Sequence, residues 1–492
     1  MSKEKVLVAG AGIAGLGAAL ALGGGTRDVV LLDRDSAPPH SSPDEAFDHW
    51  DRRGATQLRH SHAFLGRLTA LIRDKYPDLL RELLAEGTRL FGYEEGLPPG
   101  LAKKYKRAPG DEDLKLLLSR RTTLEMVMRR YAARLPGITF ITDAGVRGIL
   151  SRRENEKLVV EGLQVERNGA VEDMRADVVV DASGRNTAFP DWLRAEGVDI
   201  REESSSCGIL YFTRHYRLRD GAEEPSRDGV PGAGDLGYIK FGVFAADNRH
   251  FSVTLAVPEI ETGLRVAVVK PDIFDAICMT IRGTARWIDP KRSEPVSAVF
   301  AMGNLQNVWR HYLKDGAPQV LNFFALGDAA VRTNPLYGRG CSSGVVEAHI
   351  LRETLDATPD ASDRALRYDQ HIEKAIRPFF DSMVKLDLQA IRRAAHERDP
   401  LYKPGLRARI AKSFAEDGLI PAQRSDVEVG RALARIFHML DEPATLLRRP
   451  AIVARILRVW AMPKAAKRTR NYYIPPLGPE RSEMLSRFGI AA

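Results

Sequence analysis

The sequence contains only three cysteines, Cys207, Cys278 and Cys341, among 492 residues. They lie far apart and lack CxxC spacing, which excludes a disulfide framework and a thiolate zinc site and suits a reducing compartment. Internal repeats and low-complexity tracts are missing too, so neither a solenoid nor a long flexible linker is expected. No uninterrupted apolar run is long enough to span a bilayer. The nearest candidate, VLVAGAGIAGLGAALALGGG, is broken by a glycine-rich turn and carries no cleavage pattern, so the chain reads as cytoplasmic. Its basic residues have no interleaved aromatic platforms, which removes nucleic acid from the expected partners. A net charge of +8 suits anionic ligands but is small enough to be a solvated surface. What is present is ordinary globular composition, 44% hydrophobic and 28% charged. At this length a single core is exceeded and two or three substructures are expected.

The first informative stretch is KVLVAGAGIAGLGAALAL, a short strand, a Gly-x-Gly-x-x-Gly turn and an Ala/Leu-rich helix. Gly10 permits the tight turn, Gly12 lets backbone approach a pyrophosphate, and Gly15 lets helix and strand pack closely. The helix N-terminus adds free N–H groups and a positive dipole. A second strand, DVVLLDRD, ends at Asp33, about twenty residues on, where a carboxylate can accept hydrogen bonds from ribose hydroxyls. This motif alone leaves NAD and FAD both open.

The distant stretch VLNFFALGDAAVRTNPLYGRGCSSGVVEA breaks the tie. It reads as a strand from Val320 to Leu326, then Gly327 and Asp328, a turn with Pro335, and a small-residue helix beginning near Cys341. Asp328 at a strand end can hold the ribityl hydroxyls that NAD lacks. The helix start after Gly340 stabilises negative charge on a reduced flavin. A plain turn and packing helix would explain one glycine but not this combination.

With GAGIAG and Asp33, VVVDASGR (178–185), RRTTLE and GDAAVRTNPLYGRG together, the chain resembles the FAD-dependent aromatic hydroxylase and epoxidase superfamily. The resemblance covers roughly residues 1–355. It implies an α/β fold, a glutathione-reductase-type Rossmann FAD-binding domain interleaved with an antiparallel β-sheet substrate domain, plus a helical C-terminal region. It makes Gly10, Gly12, Ala14, Gly15, Asp33 and Arg34 cofactor contacts. Arg59, His60, Arg121, Val146 and Gly184 join them, as do Gly327, Asp328, Pro335, Gly338, Gly340 and Cys341. QLRHSHAFLGR, CGILYFTRHYRL and NPLYGRGCSS look like bacterial flavin epoxidases of polyketide polyenes, and squalene epoxidases are similar around GD–Pro–Gly. Such relatives insert one atom of O2 into an apolar substrate through a flavin C4a-hydroperoxide. The implied activity is thus an FAD-dependent monooxygenase, an epoxidase or hydroxylase of a hydrophobic secondary-metabolite or lipid-like molecule. The alternative is a reductase or dehydrogenase of C=C bonds on the same fold, and a non-catalytic flavoprotein is a more remote one.

The chain also departs from that pattern. Ser183-Gly184 stands where aromatic hydroxylases have Asp-Gly, with Asp181 two residues upstream. Similar forms occur in halogenases fed by a partner, so NAD(P)H is expected to supply electrons directly or through a separate flavin reductase. The Trp-x-Trp-x-Ile-Pro segment of halogenases is missing, and the single Trp-Ile pair, at Trp287, lacks that spacing. His60 and His62 share one face of an extended segment, but no nearby Asp, Glu or Cys completes a metal site, so none is expected. His62 is the candidate proton donor or orienting group, with Pro335 beside it as a second tentative catalytic residue.

The FAD-binding sequence is expected to be discontinuous, at 1–80, 115–195 and 301–355. The substrate sheet would occupy 81–114 and 196–300, where alternating strands carry Tyr211, Tyr238 and Phe241 toward a pocket. RDGAEEPSRDGVPGAGDLG reads as a loop between those strands. Residues 356–492 read as helical, ending in a stretch with no acidic residue between Glu442 and Glu480. From Pro450 an apolar face of Ile452, Val453, Ile456, Leu457 and Trp460 opposes Arg455 and Arg458. That face either packs on its own protein or rests peripherally on an anionic membrane.

Overall fold

The computed structural model describes residues 3–39, 42–226, 229–399 and 401–491. The chain starts with strand β1 (Glu4–Ala9), helix α1 (Ile13–Leu22) and strand β2 (Arg27–Leu32), as its residues require. It returns through helix α2 (Arg121–Ala132) and strands β3 (Ile138–Ile141) and β4 (Val178–Asp181). It then leaves for an antiparallel sheet containing β5 (Ile209–Leu218), β6 (Lys240–Ala245) and β7 (His250–Pro258). Strand β8 (Phe323–Ala325) brings it back, followed by helix α3 (Gly340–Ala357) and the long helix α4 (Ala361–Arg398). The first sheet runs β8-β4-β1-β2-β3, with every pair parallel. Strands buried on both faces need continuous apolar runs, and VLVA in β1 and VVV in β4 supply them.

Two glycines of the first turn have no tolerable substitute. Gly10 has φ +103°, and a Cβ there would sit 2.5 Å from the Ala182 carbonyl oxygen. A Cβ on Gly15 would lie 1.9 Å from the Gly10 carbonyl oxygen. Helix α1 is apolar nearly all round and is buried accordingly. It packs on α3 through small residues. A Cβ on Gly17 would be 3.2 Å from the Val345 Cα, and one on Gly344 would be 3.1 Å from the Ala14 Cβ.

The expected strand from Val320 to Leu326 is broken in two. Asn322, at φ +59°, ends a short pair of Val320–Leu321 with Leu158–Val159, and β8 then joins the parallel sheet. The expected domain boundaries cut across hydrogen-bonded pairs. Lys115–Leu118 pairs with Arg89–Gly92, and Arg201–Ser206 with Gln306–His311. Within the expected loop before β6, Ala233–Asp235 forms a strand against Lys240–Gly242, while Arg227 and Asp228 lie outside the described residues.

After Arg332 the described residues form only helices and turns. Among these, α5 (Pro450–Trp460) buries Ile452, Ile456 and Val459 against Ala422, Val429 and Ala432, and Arg455 pairs with Asp426. Of the face considered for a membrane, Ile452 and Ile456 are covered by the protein itself, while Leu457 stays exposed. No helix among the described residues is long and apolar enough to cross a membrane.

The α1–α3 contact yields a stability prediction. Gly17→Val forces a branched side chain against α3 backbone and should cost about 1–3 kcal/mol in urea unfolding. Gly100→Ala, where nothing lies within 4 Å of the new methyl, should change stability by about 0.5 kcal/mol or less.

Candidate active site

The residues that follow β1, β2, β4 and β8 all border one cavity of about 890 Å3. Ligand crevices of open parallel sheets form at the carboxyl ends of their strands. The opposite wall is the antiparallel sheet. Along β5 and β7 alternate residues point apart: Phe212, Val253 and Leu255 enter the core behind, while Tyr211, Thr213, Thr254 and Ala256 border the cavity.

Gly10, Gly12 and Ala14 line the cavity at the start of α1, and Gly15 packs behind them. Gly12 is the N-cap and has no side-chain cap, so the first helical N–H groups stay available. Asp33 borders the cavity as well, but its carboxylate is engaged. Arg129 Nη1 donates to it at 3.0 Å, and Arg52 Nη1 lies 3.5 Å away. Burial raises the Asp33 carboxyl above its usual range, and these two cations oppose the rise. Arg34 is exposed at the rim and donates to the Arg53 carbonyl.

Asp328 presents a contrasting carboxylate. It faces the cavity, and no hydrogen bond from another described residue reaches its side chain. Burial raises its pKa, while Arg121, Arg332, Arg185 and Arg310 pull it down. Arg121, the first residue of α2, also lies against the glycine turn, its Nη2 3.9 Å from where a Gly12 Cβ would stand. Its Nε donates to Glu125 at 2.6 Å. The two chain segments read as a pair in the sequence are thus joined by α1–α3 packing and by a shared arginine. Gly327, Pro335, Gly338, Gly340 and Cys341 border the same cavity, as do Val146 and Gly184. Burial pushes the Cys341 thiol up to about 11, so it acts as a small apolar residue.

Other expectations need correction. Arg59 does not border the cavity, because its guanidinium donates to the carbonyls of Phe47, Asp48 and Trp50. Tyr238 lies in the bend before β6, outside the strand's alternation, and is buried behind the sheet with its hydroxyl donating to the Pro479 carbonyl. Tyr211 does border the cavity, with its hydroxyl held by Asn334 Oδ1 at 2.5 Å. Phe241 belongs to the cluster behind the sheet and also touches the cavity.

His62 lies in the cavity wall, but its ring nitrogens are both engaged. Nδ1 is 2.8 Å from the His60 carbonyl oxygen and so must donate; Nε2 is 3.3 Å from Arg121 Nη1 and so must accept. Burial first, then the Arg121 charge, hold its pKa well below the ordinary value. In this arrangement the one ring proton of His62 is held by the His60 carbonyl, which argues against the acid role expected for it. Pro335 opens the turn Pro335–Tyr337, whose Leu336 N–H donates to Asn334 Oδ1, and its contribution to the cavity is shape.

Several site residues escaped sequence reasoning. Asp181 accepts from Ser183 N, Ser183 Oγ and Thr187 Oγ1, so it builds its own turn while Ser183 and Gly184 face the cavity. Asp387 on α4 accepts from Asn307, Asn334 and Tyr337, and so pins the Pro335 turn from the C-terminal region. Asn334, an Asx residue directly before a proline, carried a local turn signal; Asp387 carried none.

No family model matches the chain. It is similar to the protein Rv3254 of Mycobacterium tuberculosis, 24% identical over 95% of this chain and 96% of that protein. Among solved structures it is similar to the flavin-dependent brominase Bmp2, with a TM-score of 0.60, 15% identity, and coverage of 93% of this chain and 98% of that one. It is also similar to p-nitrophenol 4-monooxygenase PnpA from Pseudomonas putida DLL-E4, with a TM-score of 0.57, 16% identity, and coverage of 90% and 99%. The chain therefore has the fold of flavin-dependent monooxygenases.

Beneath the cavity, Glu347 of α3 accepts the Gly327 N–H at 2.5 Å, and its other oxygen has no partner. Burial raises its carboxyl from 4.5 to about 8. The folded chain thus keeps a proton that the unfolded chain sheds above about pH 4.5, so stability falls as pH climbs toward 8 and levels off beyond. Glu347→Gln keeps the hydrogen bond and removes the titration. Its stability relative to the parent should rise between pH 5 and 8 in denaturant titrations at a series of pH values.

Proposed function

We propose that this chain, whose fold is that of the flavin-dependent monooxygenases, is itself an FAD-dependent monooxygenase. It would insert one atom of O2, by epoxidation or hydroxylation, into a largely hydrophobic secondary-metabolite or lipid-like molecule. The observation that carries this reading is the unpartnered Asp328 carboxylate beside the uncapped start of α1, on one cavity large enough for a dinucleotide and a substrate. The residues present fit FAD. The N–H groups after Gly12 suit its pyrophosphate, and Asp328 suits hydroxyls that a nicotinamide dinucleotide lacks at that place. Arg121 and the start of α3 border the same cavity and would offer positive charge to a reduced, anionic flavin held there.

When bound, FAD supplies the electrons and the activation of O2 for the oxygen transfer. The chain's own part is to hold, orient and exclude water. Tyr211, Phe244 and Met302 border the cavity opposite the nucleotide-binding strands and shape an apolar compartment. An olefin or arene held there needs no catalytic base to be deprotonated first, consistent with a neutral His62. Asp181 is folded into its own turn, so the VVVDASGR segment offers the cavity no carboxylate. NAD(P)H is the proposed electron source, directly or through a separate flavin reductase.

Asp328→Ala should weaken FAD binding at least tenfold in titrations followed by flavin fluorescence, with the fold unchanged by circular dichroism. The reaction class is tested by supplying FAD-loaded protein, reductant and 18O2 to organic extracts. A product carrying one heavy oxygen is expected, whereas anaerobic turnover to a saturated product would establish a C=C reductase instead.

A further inference from the structure

Four hydroxyls cross the floor of the cavity in an unbroken chain ending on His60. Ser252 Oγ lies 2.7 Å from Ser61 Oγ, Ser61 Oγ is 2.7 Å from Thr254 Oγ1, and Thr254 Oγ1 is 2.7 Å from Thr213 Oγ1. Thr213 Oγ1 in turn lies 3.0 Å from His60 Nδ1. Thr213 is fully buried and Ser252 almost so.

The direction of this chain follows from counting hydrogens. Four hydroxyl hydrogens serve four hydrogen bonds when each donates toward His60, so that Nδ1 accepts the last one. In the reverse direction Nδ1–H would be a fifth donor for the same four bonds, and one hydroxyl hydrogen, that of Ser252 or of Ser61, would have to leave the chain. The direction that keeps every hydroxyl hydrogen inside the chain makes His60 the Nε2–H tautomer. Burial holds the ring neutral, its pKa pushed down to about 4. Nε2 has no partner among the described residues and is not sealed from the cavity that His60 borders. An Nε2–H donor then stands on the cavity wall, and the apolar side chains of Phe244 and Met302 line the same cavity.

We propose that His60 is a substrate-recognition residue whose Nε2–H donates a hydrogen bond to an oxygen of the substrate. The molecule oxidised then carries a hydroxyl or carbonyl group on its apolar body and is not a bare hydrocarbon. Ser61, Thr213, Ser252 and Thr254 are positioning residues that act through the His60 tautomer. The inference rests on the flavin reading for the reaction served, but the donor itself is a property of this chain. A site built to hydrogen-bond one oxygen discriminates strongly against analogues lacking it.

The test uses FAD-loaded full-length protein, whose flavin uptake is read in its absorbance before any probe is added. Lack of uptake would count against the flavin reading alone. Titration with 2-naphthol and with naphthalene, followed by perturbation of the flavin spectrum, should give at least tenfold tighter binding of 2-naphthol. His60→Leu should bind the two within twofold of each other. A parent protein that binds 2-naphthol no more tightly than naphthalene overturns the proposal, as does a His60→Leu variant that keeps the preference. A second arm needs neither FAD nor a folded variant at position 60. The 15N spectrum of histidine-labelled protein should show His60 as Nε2–H, with the tautomers mixed in Thr213→Val; a His60 found as Nδ1–H overturns the proposal too.

Discussion

The close approach of α1 to α3 governs everything else in the molecule. Two helices more than three hundred residues apart in sequence touch through Ala14, Gly17, Gly344 and Val345, with Gly327 of the preceding turn against Ala14 and no room for a larger side chain between them. That contact brings the N-terminal glycine turn and the Asp328 turn to the rim of one cavity. The many small residues from Gly327 onward thus serve two ends. Some leave space for a ligand, and others let backbone meet backbone. Because interiors are close-packed, a wider side chain here would shift both turns together.

Charge is arranged around that contact in an ordered way. Asp33 is surrounded by Arg52 and Arg129, whereas Asp328 shares its field with four arginines but bonds to none. An unpartnered carboxylate on a cavity wall is costly unless a ligand with donors occupies the space. The same logic applies across the cavity, where the hydroxyl chain spends all its hydrogens and leaves one imidazole N–H exposed. The two walls therefore ask for different things, a hydroxyl-rich chain on one side and a single oxygen acceptor on the other.

The legible parts of the fold were those set by local backbone demands. Gly10 and Gly15 could be read because only glycine fits their turn, and Asp328 because its strand–turn–helix setting is short-range. β5 and β7 could be read as two-faced strands from their alternation. What escaped depends on partners distant in sequence. Arg59 and Tyr238 carried the right residue types, but their side chains turn toward carbonyls supplied by other segments. His60 and His62 were legible as a pair, yet their roles are set by Thr213, Thr254 and Arg121. The amphipathic face of α5 was plain, but nothing local said that Ala422 and Val429 would meet Ile452 and Ile456. Asp387 was invisible, since an acid on a long helix carries no sign of the three donors it meets.

The central claim is that this one cavity holds FAD between the two turns. Its most direct measurement is a crystal structure of the chain grown with FAD. The account predicts the pyrophosphate against the N–H groups after Gly12 and ribityl hydroxyls on the Asp328 carboxylate. FAD bound elsewhere, or seated here with Asp328 turned away from it, would contradict the account.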